Sequence, residues 1–219
     1  MTAPEEPSVD DHPHEHGHPH PPARPDTDDA LTYYKAMEVA VRELLIEKGV
    51  ISAEDVRRAI EAMDARNPAQ GARVVARAWT DPAYKARLLA DPNAAIKELG
   101  VEPGAYKLVV LENTPRQHNL VVCTLCSCYP RGVLGLPPDW YKSRAYRSRA
   151  VREPRAVLRE FGTEIPDTVE VRVHDSTADM RYLVLPERPA GSEALSESEL
   201  AELVTRDSMI GVARARAPS

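Results

Sequence analysis

The run Val122-Cys123-Thr124-Leu125-Cys126-Ser127-Cys128-Tyr129-Pro130 holds every cysteine of the 219-residue chain. Three thiols so close together suit a redox pair with a spare thiol, a zinc site short of one ligand, or a centre for a redox-capable transition metal. Cys123 and Cys126 have dithiol spacing, but that chemistry needs the first thiol at a helix N-terminus, where its thiolate is stabilised. Here an apolar strand leads in and Ser127-Cys128-Tyr129-Pro130 does not read as a helix. His118 could complete a Cys₃His zinc set, yet closed zinc sites usually draw their ligands as two spaced pairs. Cys126 and Cys128 are separated by one residue, so the intervening backbone amides lie close to any ion that both thiolates hold. Zinc gains little from amide nitrogen. A low-spin trivalent ion gains much, because deprotonated amides are strong in-plane donors and ligand type and geometry decide such cases.

The elements that must position these thiols follow from periodicity. Residues 31–48 place Leu31, Tyr34, Met37, Val41, Leu44 and Leu45 at helical spacing, and Gly49 is a stop. Ser52-Ala53-Glu54-Asp55 reads as a capping box opening a second helix to about Asp64. Asn67-Pro68 breaks it, residues 72–79 are helical in composition, and Thr80-Asp81-Pro82 restarts the chain with Pro in a first turn. Short helices over 83–90 and 93–99 end at Gly100. The period then changes. Residues 106–111 and 119–122 read as buried strands joined by a polar loop, and the cysteine run begins where the second strand ends. After Pro137-Pro138 comes an Arg-rich helix, restarted at Pro154. Residues 169–173 alternate like a half-buried strand, residues 181–185 are expected to be its partner, and Ser196 caps a last helix. This is an α+β layout. The expected organisation is a disordered tail over 1–28, a helical N-terminal arm over 29–100, a layered metal-binding catalytic domain over 101–212 and a C-terminal tail over 213–219.

Composition narrows the function. A net charge of −6 argues against a nucleic-acid binder, and no apolar run approaches the ~20 residues that span a bilayer. With no signal-peptide layout, a cytoplasmic setting is expected, where clustered cysteines point to metal or catalysis rather than disulfides. The tail carries His12, His14, His16, His18 and His20 in alternation, a composition that can chelate divalent metals loosely. Its scarcity of large apolar side chains makes it dispensable for chemistry.

The cysteine run resembles the metal-binding motif of the cobalt-type nitrile hydratase α subunit. The likeness extends through Val74-Val75-Ala76-Arg77-Ala78-Trp79, Val110-Leu111-Glu112-Asn113-Thr114, His118-Asn119-Leu120-Val121-Val122 and Val133-Leu134-Gly135-Leu136-Pro137-Pro138-Asp139-Trp140-Tyr141-Lys142. It continues through Arg181-Tyr182-Leu183-Val184-Leu185-Pro186 to Val212. The resemblance implies an α-β-β-α layered domain and a non-corrin Co(III) held by the sulfurs of Cys123, Cys126 and Cys128 and the backbone nitrogens of Ser127 and Cys128. Thr124 goes with cobalt, where iron-type members carry Ser, so Fe(III) is the lesser expectation. It further implies that Cys126 is oxidised to a sulfinic acid and Cys128 to a sulfenic acid. The Cys128 sulfenate oxygen would act as nucleophile or base while the metal serves as a Lewis acid. A partner β subunit would supply arginines to the oxidised sulfurs in an αβ or α2β2 assembly, with a cobalt activator as a further possible partner.

One position departs from the commonest pattern. Arg131-Gly132 stands where many nitrile hydratases carry Trp-Pro, and Arg there is shared with the related thiocyanate hydrolase γ subunit. Arg131 is therefore a candidate substrate-binding residue that would favour an anion; the alternative is a salt bridge to the partner. Nitrile hydration is the leading reading, thiocyanate hydrolysis the second, and a non-catalytic cobalt-binding protein or metallochaperone the third. Trp79 and Trp140 are expected in the core, Tyr129 and Tyr141 beside the site, Glu112 as a possible ligand-orienting acid and His174 as structural. The Arg-rich residues 144–155 suit a subunit interface.

Overall fold

The computed structural model describes residues 32–218. The histidine-rich tail over 1–28 lies outside the described residues. Two helices come first, α1 (Tyr33–Glu47), capped by the Thr32 hydroxyl, and α2 (Ala53–Asp64). The Ser52 and Asp55 side chains cap α2 reciprocally, as the capping box predicts. Neither helix buries a residue.

Then follow α3 (Pro68–Thr80), α4 (Pro82–Ala90) and α5 (Pro92–Lys97). Two Asp-Pro dipeptides articulate them. Asp81 and Asp91 each end one helix and cap the next, accepting from the amides of Tyr84 (2.9 Å) and Ala94 (3.1 Å), while Pro82 and Pro92 fill first-turn positions that need no N–H. Asn67-Pro68 works the same way and starts α3 four residues earlier than its apolar periodicity indicates.

Strands β1 (Lys107–Glu112) and β2 (Gln117–Val122) come next, then α6 (Arg131–Leu134), α7 (Asp139–Lys142), α8 (Arg144–Arg152) and α9 (Pro154–Glu160). The chain closes with β3 (Glu170–Asp175), β4 (Met180–Leu185), α10 (Glu197–Leu203) and α11 (Arg206–Ile210). One expectation fails here. The third and fourth strands are not partners of each other: β4 lies parallel to β1 and β3 parallel to β2, in two two-stranded sheets. Only four residues separate β3 from β4. They suit a hairpin turn, but each strand instead pairs with a partner more than fifty residues away, a choice made by burial rather than local sequence.

The result is a layered α+β domain. α4 and α5 pack on β1 and α11 on β4; β2 contacts β4 across the two sheets; α8 packs on β2 and α9 on β3. β2 runs through the middle, with every residue from His118 to Val122 buried, which accounts for its unalternating apolar run. Its polar members are satisfied internally. The His118 Nε2–H donates to the Gly211 carbonyl (2.7 Å), and Asn113 Oδ1 accepts from both the backbone and the side-chain amide of Asn119. Gly211 has φ +92°, and a Cβ there would collide with the Asn119 carbonyl, so glycine is required where α11 crosses β2. No helix among the described residues is long and apolar enough to cross a membrane.

Candidate metal centre

The cysteine loop leaves the carboxyl end of β2, the edge of a parallel sheet where functional loops commonly sit. Cys123 is fully buried, Cys128 half-buried and Cys126 exposed. Their three sulfurs lie within 4.8 Å of one another, with Cys123–Cys126 at 3.5 Å and Cys126–Cys128 at 3.2 Å. The Cys126 amide donates to the Cys123 sulfur at 3.3 Å.

Their acidities diverge. Hydrogen bonding from Cys128 lowers the Cys126 thiol to about 7, and the backbone N–H groups of Ser127 and Cys128 favour its thiolate too. Burial first, and then the shared proton with Cys126, pushes Cys128 to about 12. The amides of Ser127 and Cys128 lie beside the Cys126 sulfur. This donor set fits a soft, strongly directional metal ion: three sulfurs and two amide nitrogens converge from one turn, with no second pair of zinc-type ligands among the described residues.

Three groups hold the turn in this shape. Parallel pairing sets Asp175 opposite Val122, so the Asp175 carboxylate reaches past the strand end and accepts from the Thr124 amide (2.9 Å) and hydroxyl (2.5 Å). Arg147 on α8 donates to the carbonyls of Thr124 (3.0 Å) and Leu125 (3.1 Å). The buried Tyr141 hydroxyl, its pKa raised by desolvation so that it keeps its proton, donates to the Cys128 carbonyl at 2.8 Å. Tyr129 packs edge-on against Tyr141 at 5.2 Å between ring centroids.

A pocket of about 310 Å³ opens over the sulfurs, lined by Tyr106, Cys126, Ser127, Cys128, Tyr129, Arg131 and Arg181. Arg131 is exposed at its rim, on the first residue of α6. Arg181 lies with its guanidinium 5.1 Å from the Tyr106 ring centroid, a cation–π contact. Gly132 permits the close approach of α6, because a Cβ there would meet the Pro103 carbonyl; its amide donates to the Tyr106 hydroxyl at 3.2 Å.

The structure brings Cys126, Ser127, Cys128 and Arg131 to one pocket, with the buried Cys123 sulfur 3.5 Å from that of Cys126. His118 is not there; it is engaged with Gly211 and Asn113, which removes it as a fourth zinc ligand. Glu112 pairs with Lys85 instead of orienting a ligand. His174 holds Asn119 Oδ1 (2.9 Å), Trp79 donates to the Pro186 carbonyl (2.8 Å), and Trp140 packs on Phe161. Asp175, Arg147 and Arg181 are the residues that sequence reasoning misses. Asp175 was hidden by the assumed pairing of β3 with β4.

The family model "Nitrile hydratase, alpha chain" matches residues 32–213. The chain belongs to this family. It is 53% identical over 187 residues to the low-molecular weight cobalt-containing nitrile hydratase subunit alpha of Rhodococcus rhodochrous, covering 84% of this chain and 88% of that one. It is 47% identical to thiocyanate hydrolase subunit gamma of Thiobacillus thioparus, over 82% of this chain and 79% of the relative. Among solved structures it resembles an iron-type nitrile hydratase double mutant from Comamonas testosteroni Ni1. The TM-score is 0.77 with 46% identity, over 84% of this chain and 91% of that chain.

Proposed function

We propose that this chain is the metal-bearing subunit of a cobalt nitrile hydratase, hydrating a nitrile to its amide. The observation that carries this reading is the convergence of three cysteine sulfurs and the Ser127 and Cys128 amides in one turn beneath an open pocket. Cys123, Cys126, Cys128 and the nitrogens of Ser127 and Cys128 would hold the ion; when bound, cobalt supplies Lewis acidity toward a nitrile or a water.

The chain's own residues do the rest. Cys123, sealed in the core, stays a plain thiolate, whereas Cys126 and Cys128 face the pocket and carry the added oxygens, two on Cys126 and one on Cys128. The Cys128 oxygen takes a proton from water or attacks the nitrile carbon. Tyr141 fixes the Cys128 carbonyl, and Asp175 and Arg147 fix the approach of the loop, so that the oxygen is presented at a constant angle. Thr124, locked to Asp175, favours cobalt over iron in this reading.

A β subunit completes the site, placing arginines against the oxidised sulfurs in an αβ or α2β2 assembly. The unburied apolar side chains of α1 and α2, among them Tyr34, Met37, Val41 and Leu44, form a second contact with it. The protein acts in the cytoplasm, a cobalt activator loads it, and the tail over 1–28 is dispensable once metal is in place.

Arg131 and Arg181 together would also accommodate an anion, the observation that keeps thiocyanate as the second substrate reading. The test is turnover by the cobalt-loaded complex of this chain with its partner, given a neutral aliphatic nitrile, an aromatic nitrile and thiocyanate in parallel. Hydration of the nitriles with no thiocyanate consumption supports nitrile hydration. Thiocyanate hydrolysis that disappears in Arg131→Trp while nitriles are ignored reverses the assignment.

A further inference from the structure

The helix behind the metal loop has two unlike faces. On one, Arg149 is saturated: its guanidinium pairs with Glu153 at 2.7 Å and Glu160 at 2.6 Å. On the other, Arg144, Arg147, Ser148, Val151 and Arg152 fall at i, i+3, i+4, i+7 and i+8 and share one stripe. With Thr124 they line a groove of about 410 Å³. No guanidinium on this stripe meets a carboxylate among the described residues. Arg144 has no polar partner there, Arg152 donates only to the Ser148 carbonyl (3.2 Å), and Arg147 donates only to backbone carbonyls. The chain carries a net charge of −6, so three unpaired cations on one stripe stand against its general character. Leu125, 83% exposed, and Val151, 45% exposed, add apolar contact beside them.

We propose that this groove between α8 and the cysteine loop is a docking seat for an acidic segment of the partner subunit. The inference rests on the reading of the chain as one half of a hetero-oligomer. Three features select the occupant. Arg144 and Arg152 are eight residues apart, about 12 Å along the helix axis, more than one small anion can bridge. A segment that reaches both must therefore carry at least two spaced carboxylates. The exposed Leu125 and Val151 call for an apolar side chain between or beside those acids, which a polypeptide supplies and a polyphosphate does not. Arg147 forms the floor of the groove while it holds the Thr124 and Leu125 carbonyls, so a docked segment lies directly against the turn that bears Cys126 and Cys128.

The experiment uses the full chain and its β partner, with Kd measured by calorimetry from 50 to 500 mM salt. Arg144→Glu/Arg152→Glu leaves Arg147 and the cysteines untouched, and both positions are exposed, so circular dichroism and Tm of the variant should match wild type. The double variant should weaken association at least about tenfold at low salt and flatten the salt dependence. The same charge reversal at Arg172, an exposed residue of β3 paired with Glu170, should change Kd by less than about twofold. A photo-crosslinker at Val151 should capture a peptide of the β chain containing two or more Asp or Glu. A wild-type Kd in the double variant overturns the groove, as does a crosslink to a basic peptide or to RNA. If wild type forms no complex at all, the hetero-oligomer reading falls and the groove with it.

Discussion

The two-helix arm and the layered body use the same kind of apolar side chains and reach opposite ends. In the body, Val74, Leu88, Leu120, Leu158 and Met209 are completely shielded; in the arm, Met37, Val41, Leu44, Ile60 and Met63 are each more than 40% exposed. Both regions contain helices, and α2, with its reciprocal capping box, is better capped than most helices of the body. Capping and periodicity therefore explain that the arm is helical, but among the described residues nothing covers its apolar stripe. The difference teaches that the body buries its own core and gathers its own sulfur cluster, whereas helix formation in the arm does not depend on burial of its apolar stripe.

Substitution in the two regions should break that contrast or sharpen it. Leu158→Ala, in a fully buried position on α9, should cost the isolated chain about 2–5 kcal/mol in urea unfolding. Leu44→Ala in the arm should cost it less than ~0.5 kcal/mol yet weaken association with the partner. Equal costs for both would mean that the arm packs on the body in solution.

Asp175→Ala should have the next largest effect, on the loop rather than the fold. It removes both acceptors that hold Thr124, and the loss of such support commonly costs about 10- to 100-fold in metal affinity. Cobalt retained after dialysis against a chelator reports this directly. Retention equal to wild type would show that Arg147 and Tyr141 suffice.

The smallest expected effect is on pH dependence. Burial depresses the pKa of His118 below the ordinary imidazole value of 6.5, and burial likewise depresses His174, assisted by Arg172. The unfolded chain then binds more protons than the folded one as the pH falls below that value. Their contribution is fully present above about pH 6.5 and is lost as the pH falls through the folded values. His118 needs Nδ1 unprotonated to accept from the Asn113 side-chain amide (3.3 Å) while Nε2–H donates to Gly211. Tm should therefore drop between pH 7 and pH 5, and less steeply in His118→Gln. An identical slope in the variant would place the acid sensitivity elsewhere.

Much of this was legible in the sequence, for local reasons. Asp81-Pro82 marks where α4 begins, Ser52 and Ser196 announce their caps, and the Cys-Ser-Cys spacing puts backbone amides beside two thiols, while the full ligand set is what the family resemblance implies. Strand pairing was not legible. β1 joins β4 and β2 joins β3 across long parallel crossovers, a choice that burial of both faces of β2 imposes and no turn residue records. Asp175 and Arg147 escaped for the same reason: each reaches the metal loop only because β3 and α8 flank β2. The four- and five-residue helices α6 and α11 also carry too little periodicity to be read.

The central claim is that residues 123–128 form a cobalt centre with asymmetrically oxidised cysteines. Peptide mass spectrometry with metal analysis, on the chain purified with its partner and cobalt, tests it most directly. The account predicts one low-spin Co(III) per chain, two added oxygens on Cys126, one on Cys128 and none on the buried Cys123. Tetrahedral zinc, with all three cysteines unoxidised in a preparation that fully hydrates nitriles, would contradict it.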